Sequence, residues 1–476
     1  MMRYSAMDSG AIDRHRGAAL VLISFAMLIV SLDQYIVVVA LPEIALHLGY
    51  SPQTLQSVVS AYAIASSGFL LLGGRASDLL GRRRVFMVGL VLYCVSSLAG
   101  GLATSVLQQL AARSFQGLGG ALVFPSTLAL INVRFREGTE RNRALGIWAG
   151  AGAAGLVVGV LLGGALTGFF GWRAVFLVNV PLATLALAAA FVLIETDGPI
   201  DRSRAFDLPG VATITASITL LVAALVQGPD WGWLSPLTIS LLLAGAVLGV
   251  AFVVIERRSV DPLIPLRMLQ NSWLRLALAV ATLFMATFGA VLYFLSIFFQ
   301  NVLHYNALNT GLAFLLPTAV VVGSSTLAGR AVTLIGLRAT MIFALALGAV
   351  GAFAIGFTLQ PDMSFTDLVP GLIALSIGDG AMFTAMFIAA ATDVPDHQQG
   401  VASGMVSTGS GLGAAIGLAL LVLIANTATA DLGGESLRTA TAHGISHAAY
   451  AIGFGIIFTL IIVLAFRGQK GGSSSL

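Results

Sequence analysis

The chain has 476 residues, of which 58% are hydrophobic and only 9% are charged, and its mean hydropathy is +0.96. A soluble domain carries roughly 25% charged residues because its surface faces water. So little charge on so long a chain excludes a soluble enzyme or binding domain and predicts that most of the surface faces lipid. The one cysteine excludes a disulfide framework, and the scattered basic residues argue against a nucleic-acid partner.

Fourteen stretches of the chain are long and apolar enough to cross a membrane, which takes about 20 residues each. The sequence therefore predicts an all-α integral membrane protein with fourteen membrane-spanning helices. In chain order, the predicted helices cover residues 18–40, 54–73, 85–103, 107–131, 144–168, 174–194, 208–227, 236–255, 274–299, 309–328, 339–358, 368–392, 401–425 and 447–466.

The basic residues test this count. If the N-terminus is cytoplasmic and every helix crosses, 21 of the 24 basic residues fall on cytoplasmic loops and tails, and the exceptions are Arg113, Arg173 and Arg438. Cytoplasmic loops are enriched in Lys and Arg, and an error of one helix would place several arginine-rich loops on the wrong side. We therefore expect both termini in the cytoplasm. Because 23 of the 24 are arginine, a usage typical of GC-rich bacterial genomes, we expect a multi-pass protein of a bacterial inner membrane.

The chain contains an internal repeat. Residues 74–81 read GRASDLLG, and residues 329–336 read GRAVTLIG, 255 positions later. Three glycines of the fifth predicted helix recur in the thirteenth after 258 positions, namely Gly146, Gly155 and Gly159, matched by Gly404, Gly413 and Gly417. Both shifts span eight helices, which is the spacing of two six-helix halves separated by two extra helices.

The repeat predicts the domain organisation. It gives a cytoplasmic tail at 1–17, an N-terminal six-helix half at 18–194, a linker with two extra helices at 195–273, a C-terminal six-helix half at 274–466 and a C-terminal tail at 467–476. Repeated halves build many secondary transporters, whose substrate site lies at the interface between the halves.

Four motifs occur in order along the chain. Residues 32–42 read LDQYIVVVALP, residues 74–84 read GRASDLLGRRR, and residues 110–121 read LAARSFQGLGGA. The fifth helix carries Gly146, Gly155 and Gly159, followed by Gly163 and Gly164. In these residues the chain resembles the major facilitator superfamily, specifically its fourteen-helix drug:proton antiporter branch, over nearly its whole length.

The resemblance implies the major facilitator fold and a proton-coupled efflux transporter that exports small amphipathic compounds or drugs by alternating access. It implies the proton gradient as the energy source and no cofactor. The partners would be a small-molecule substrate, protons and the lipid bilayer, and we expect a monomer. The chain shows no phosphate loop, zinc motif or nucleophile elbow, so we expect neither an enzyme nor a metal site.

The chain departs from the family pattern at a few positions. Tyr35 and Val38 stand where the first-helix motif usually has Thr and Asn, and Thr333 stands in the second copy of the loop motif where the first has Asp78. Val160 stands where the fifth-helix motif usually has Pro. The missing proline leaves open an alternative function on the same scaffold, a facilitator or proton symporter of a polar metabolite.

Two acidic residues, Asp33 and Asp379, lie well inside predicted helices. An ionised residue at the bilayer centre costs at least about 2.5–3.5 kcal/mol, so such residues are functional candidates. Asp33 in the first helix and Arg113 in the fourth lie about 10–14 Å below the outer surface, and this matched depth allows them to pair. We predict Asp33, Arg113 and Asp379 as proton-coupling residues. The alternatives are a permanent structural pair for the first two and, for Asp379, a cation-binding carboxylate or a neutral, hydrogen-bonded acid.

The motif at residues 74–84 predicts a conformational latch in the loop between the second and third helices, where glycines allow a tight reversal. Asp78 can accept hydrogen bonds from an arginine, or face the positive N-terminus of a helix in the other half. The alternative is that the arginines only fix the topology. The predicted latch residues are Gly74, Arg75, Asp78, Gly81 and Arg82.

Aromatic and polar residues on the helices that should line the cavity are candidates for substrate contact, because stacking and cation–π contacts suit planar lipophilic cations. They are Gln34, Tyr35, Gln116, Phe124, Tyr293 and Phe294. In the fifth helix, Gly155, Gly159 and Gly163 recur every four residues and predict a smooth face for close helix packing.

Overall fold

The structure, a computed structural model, describes residues 2–50, 55–199, 207–259, 261–426 and 434–466. The predicted C-terminal tail at 467–476 lies outside the described residues, as do residues 200–206 and 260 of the predicted linker. Within the described part the chain is helical and contains no strand. The predicted all-α architecture is confirmed.

The described ranges contain sixteen α-helices. They are α1 (Met2–Leu48), α2 (Ser57–Leu80), α3 (Arg82–Gly101), α4 (Val106–Arg134), α5 (Thr139–Phe170), α6 (Arg173–Leu177), α7 (Asn179–Leu193), α8 (Leu208–Trp231), α9 (Pro236–Glu256), α10 (Ser272–Ile297), α11 (Ala307–Ala313), α12 (Leu315–Ile335), α13 (Leu337–Thr358), α14 (Phe365–Ala391), α15 (Gln399–Ala425) and α16 (Gly434–Ala465). Short 3-10 turns occur at Leu266–Gln270 and Asp396–Gln398, and a π turn at Phe298–Val302.

These helices form fourteen crossings among the described residues, judged by length and apolar composition. The count is fourteen rather than sixteen because α6 and α7 together make one crossing, Arg173–Leu193, and the residues of α11 and α12 make another, Asn309–Ile335. The predicted number of membrane-spanning helices is therefore confirmed.

The prediction that residues 74–81 form a loop is wrong. Gly74 to Leu80 belong to the last two turns of α2, and only Gly81 breaks the helix before α3. Gly81 has φ +102°, a backbone conformation that glycine adopts without steric cost. Gly73 and Gly74, near the end of α2, do not turn the chain. They let it approach two neighbouring helices, because Gly73 lies against Ala121 and Gly74 lies against Gly400.

The helices form two six-helix halves with matching packing. In the first half α1 packs on α5, and α2 and α3 pack on α4; in the second half α10 packs on α15, and α12 and α13 pack on α14. The halves meet along two lines, the α2–α15 interface and the α5–α12 interface. The two extra helices, α8 and α9, pack on each other, and α8 also packs on α2 and α15. We call α8 and α9 the insert.

The glycines of α5 bring its backbone close to α1. A Cβ atom added to Gly155 would lie 2.6 Å from the carbonyl oxygen of Leu28, and one added to Gly163 would lie 2.7 Å from that of Ile36. Gly159 meets the carbonyl of Leu32 in the same way. Small residues at this spacing let membrane helices approach closely.

A stability prediction follows from this packing. Gly155→Ala should lower the thermal unfolding midpoint of the detergent-solubilised protein, because overpacking costs about 1–3 kcal/mol. Gly164→Ala is the matched control, because a Cβ there meets nothing within 4 Å and alanine favours the helix. Equal midpoints for the two variants would show that the α1–α5 contact is not tight.

Candidate functional site

Asp33 lies at the centre of a buried polar network in the first half. Arg113 Nη1 donates to Asp33 Oδ2 at 2.6 Å, and both side chains are fully buried. Gln116 Nε2 and Asn179 Nδ2 each donate to Asp33 Oδ1 at 2.8 Å. The structure thus brings together the two residues whose depths match in the sequence, and it adds an amide from α4 and one from α7.

The guanidinium of Arg113 has further contacts within the same half. Its Nε donates to the carbonyl of Val58 at 3.1 Å, and its Cζ lies 4.6 Å from the centroid of the Tyr62 ring. Sequence reasoning missed Asn179 and Tyr62, which belong to no motif. An asparagine in an otherwise apolar stretch is the signal that marks Asn179, because a polar side chain inside a membrane needs a partner.

The location of this network limits what it can do. Its donors and acceptor come from α1, α4 and α7, which pack together in one half. A rigid-body movement of one half against the other therefore leaves the Asp33–Arg113 pair intact. Proton transfer to Asp33 requires a rearrangement inside the first half, because Arg113, Gln116 and Asn179 occupy its carboxylate.

Asp379 has a different setting, on the face of α14 that looks toward the first half. A Cβ on Gly378 would lie 2.5 Å from the carbonyl of Ala344 in α13, and one on Gly380 would lie 2.8 Å from Ser325 Oγ in α12. The glycines around Asp379 thus mark close packing inside the second half, and α14 continues through them without a break. Asp379 is partly exposed.

One face of α1 shows where the space between the halves opens. Met27 and Ser31 on this face are buried, with 5% and 4% exposure, whereas Gln34 is exposed and Val38 is 44% exposed. The face is therefore covered toward the start of the crossing and uncovered toward its end. Phe383 and Phe387, one and two turns beyond Asp379 on α14, contact Trp148 of the first half, so this face of α14 looks toward the first half. We therefore assign the uncovered space to a gap between the halves.

An aromatic cluster closes the gap between the halves at the end where the crossing of α1 starts. Trp148 of α5 stacks on Phe383 of α14 with 6.0 Å between ring centroids, and its ring lies 5.4 Å from Phe124 and 5.2 Å from Phe387. Phe383 and Phe387 follow Asp379 at intervals of four residues, so the three share one face of α14. At 1.5 Å per residue, Phe387 lies about 6 Å and Asp379 about 18 Å from the end of α14.

The Asp78 carboxylate joins the halves at the same end as the aromatic cluster. Its two oxygens accept hydrogen bonds from the backbone N–H groups of Gly400 and Val401, at 3.0 and 2.8 Å, in the first turn of α15. Arg82 lies 3.7 Å from Asp78, and it also donates to the carbonyl of Asp396. We call the contact of Asp78 with α15 the latch, and the end where it lies, beside Arg82, Arg83 and Arg84, the arginine-rich end.

The repeat places a weaker contact at the α5–α12 interface. Gly329 lies against Asn142 as Gly74 lies against Gly400, and Asn142 Nδ2 donates to Thr333 Oγ1 at 3.4 Å. Thr333 is the counterpart of Asp78, so this interface has a neutral contact where the other has a carboxylate on a helix N-terminus. Such a charge is worth about 0.3–1 kcal/mol at an exposed helix end and up to about 2 kcal/mol where it is partly buried.

The residues predicted to line the cavity lie in different parts of the structure. Gln34 and Tyr35 lie at the gap, and Tyr293 is exposed on α10 toward the end away from the latch. Phe124 belongs to the aromatic cluster. Two residues lie away from the gap, because Gln116 is bound to Asp33, and Phe294 is buried among apolar side chains of the second half.

Residues 23–418 match the family model described as Major Facilitator Superfamily. The chain belongs to this superfamily. It is a membrane transporter rather than an enzyme, and its membrane is the inner membrane of a bacterium.

Sequence comparison shows which members of the superfamily this chain is similar to. It is 36% identical to the puromycin resistance protein pur8 of Streptomyces alboniger, over 95% of this chain and 91% of that protein. It is also 36% identical to the cephamycin export protein CmcT of Amycolatopsis lactamdurans, over 91% of this chain and 89% of that one. The crystal structure of the human organic anion transporter MFSD10 (TETRAN) has a similar fold, with a TM-score of 0.70 at 16% identity over 94% of this chain and 99% of that chain.

The buried pair predicts an asymmetric response to substitution. Asp33→Asn leaves Arg113 buried, unable to lose its proton and without a counter-charge, a change that typically costs about 3–5 kcal/mol. Arg113→Gln should cost less, because Asp33 can take up a proton. The double variant should be more stable than Asp33→Asn alone.

The measurement is the thermal unfolding midpoint in detergent. Glu195→Gln is the control, because it removes an 82% exposed partner of Arg134 and should change the stability by less than about 1 kcal/mol. If Asp33→Asn unfolds at the same temperature as Glu195→Gln, the Asp33–Arg113 pair does not stabilise the first half.

Proposed function

We propose that this protein exports small amphipathic compounds in exchange for protons, by alternating access between residues 18–194 and residues 274–466. The observation that carries the proposal is Asp379, an acid at mid-membrane depth in a gap that is closed at one end by the latch and the aromatic cluster. The names of the similar proteins, which describe antibiotic resistance and export, support the choice of substrate class.

Topology follows from the same proposal. Cytoplasmic loops are enriched in arginine, so the arginine-rich end faces the cytoplasm and both termini lie on that side. The gap then opens to the outside, and the structure corresponds to an outward-facing state. The protein works as a monomer, with the proton gradient as its energy source and without a cofactor.

Proton exchange depends on the surroundings of each carboxylate, because these surroundings decide whether it is neutral or ionised. Low-dielectric surroundings favour the neutral form of an acid, and a nearby cation favours the ionised form. Asp379 takes a proton from the outside, and its neutral form lets the halves close over it. On the cytoplasmic side a substrate that carries positive charge favours the ionised form and displaces the proton. Asp33 and Arg113 couple this change to the packing of α1 on α4.

Proton exchange is tested in inside-out vesicles that have been energised to acidify their lumen. Addition of lipophilic cations should release protons from vesicles that contain the unaltered protein, and Asp379→Asn and Asp33→Asn should abolish the release. Asp362→Asn removes a 92% exposed carboxylate and is the control that should retain it. Transport of labelled compounds without a gradient and without proton release would favour the facilitator, which Val160 in an unbroken α5 leaves open.

Asp379 also predicts a preference for charge that direct binding can measure without a proton gradient. Asp379→Asn should weaken the binding of monovalent lipophilic cations about tenfold, which corresponds to about 1.4 kcal/mol. Neutral compounds of similar size should bind almost unchanged, because Tyr35 and Gln34 remain. Equal losses for cationic and neutral compounds would contradict a role of Asp379 in the choice of charge, and Asp362→Asn again serves as the control.

A further inference from the structure

The insert covers the interface that carries the latch. Thr215 and Thr219 of α8 lie against Gly68 of α2, where a Cβ atom would lie 3.3 Å from Thr219 Cβ. On the same face of α8, Ile218 and Val222 form an apolar cluster that includes Ala415 of α15. One helix of the insert therefore contacts both halves along the α2–α15 interface.

Both ends of the insert reach the segment of chain that contains the latch. Asp197, in the segment before α8, accepts hydrogen bonds from the backbone N–H groups of Arg83 and Arg84, at 3.2 and 2.9 Å. Asp261, in the segment after α9, accepts a hydrogen bond from Arg75 Nη2 at 2.9 Å. The linkers that lead into and out of the insert thus each place a carboxylate on residues 75–84.

Arg75 is a buried cation close to the latch carboxylate. Only 1% of it is exposed, and its Nε and Nη1 atoms have no hydrogen-bond partner within the described chain. It follows Gly74, which lies against α15, and it precedes Asp78 by three residues in α2, so the two side chains are neighbours on the helix surface. A buried guanidinium without a partner is costly, so the position of Arg75 depends on which carboxylate holds it.

The repeat provides an internal comparison. Arg330 is the counterpart of Arg75 in the second half, and it is exposed rather than buried. Its neighbour Thr333 carries no charge where the first half has Asp78. The buried arginine and the latch carboxylate therefore occur together, at the interface that the insert covers.

We propose that Asp261, acting through Arg75, is a positioning residue for the latch. The Asp261 carboxylate holds the Arg75 guanidinium away from Asp78, and the Asp78 oxygens then keep their hydrogen bonds to the N-terminus of α15. Without this negative charge, Arg75 turns to Asp78, competes with the N–H groups of Gly400 and Val401, and shortens the time for which the arginine-rich end stays closed. The insert thereby sets the balance between the two states of the transporter.

The test measures opening of the α2–α15 interface by alkylation of a single cysteine. Cys94 is replaced by alanine, and Leu70→Cys provides the probe. Leu70 is 8% exposed and lies one helical turn from Gly74, on the face of α2 that meets α15. A membrane-permeant maleimide should react slowly at this position while the interface is closed and faster when it opens.

Asp261→Asn in this background should raise the alkylation rate about three- to tenfold, the range expected from loss of a partly buried ion pair. Asp261→Glu keeps the charge and should react at the unaltered rate. Asp78→Asn should react at least as fast as Asp261→Asn, and adding Asp261→Asn to it should change nothing further. Asp362→Asn is the control for loss of an exposed acid, and unfolding midpoints establish that each variant is folded.

The decisive variant combines Asp261→Asn with Arg75→Gln. In Asp261→Asn, Arg75 is proposed to compete with the N–H groups of α15 for Asp78. Removing the charge of Arg75 should therefore return the alkylation rate toward that of the unaltered protein. Faster alkylation in the double variant than in Asp261→Asn would overturn the proposal and assign the pair a purely structural role, as would no change in Asp261→Asn. If Asp261→Asn does not fold, the alkylation rate of Arg75→Gln alone tests the proposal. A rate as high as that of Asp78→Asn would contradict competition by Arg75, because this variant has no guanidinium that could compete. The readout uses neither substrate nor protons, so its result is independent of drug:proton exchange.

Discussion

One carboxylate at the N-terminus of a helix joins the two halves of this transporter at the arginine-rich end. Asp78 belongs to α2 in the first half, and the two N–H groups that it binds belong to α15 in the second half. The first N–H groups of a helix have no partner within it, and they carry partial positive charge. Asp78 satisfies two of them and so fixes the halves together at the arginine-rich end. The aromatic cluster, the direction of the gap and the contacts of the insert are all arranged around this end.

Three carboxylates on the membrane-spanning helices have different partners and different positions relative to the two halves. Asp33 has an arginine and two amides on its oxygens and belongs to the interior of one half. Asp78 binds backbone groups across the halves, and Asp379 faces the gap between them. A rigid-body movement of the halves would break the contacts of Asp78 and change the surroundings of Asp379, whereas the contacts of Asp33 change only if helices move within the first half. The three acids therefore suit three separate tasks in alternating access.

The two halves share their packing but not their charges. Glycines at equivalent positions bring α2 close to α15 and α12 close to α5, so the repeat preserves the geometry of both interfaces. The carboxylate of Asp78 is replaced by the hydroxyl of Thr333, and the buried Arg75 is matched by the exposed Arg330. The insert lies over the charged interface. A buried charge needs a partner that a neutral group does not, and the linker after the insert supplies one, because Asp261 accepts a hydrogen bond from Arg75.

The sequence alone determined the number of crossings, the two-half organisation and the family, because membrane spans need long apolar stretches and the repeat and motifs are local patterns. It also placed Asp33 and Arg113 at matching depth. Only the tertiary structure decided which side chains meet: that Gln116 binds Asp33 rather than lining the gap, that Phe294 lies in a core, and that Asp261 reaches Arg75. These contacts join residues far apart in the chain, and they depend on how helices rotate about their axes and pack, which composition and spacing do not specify.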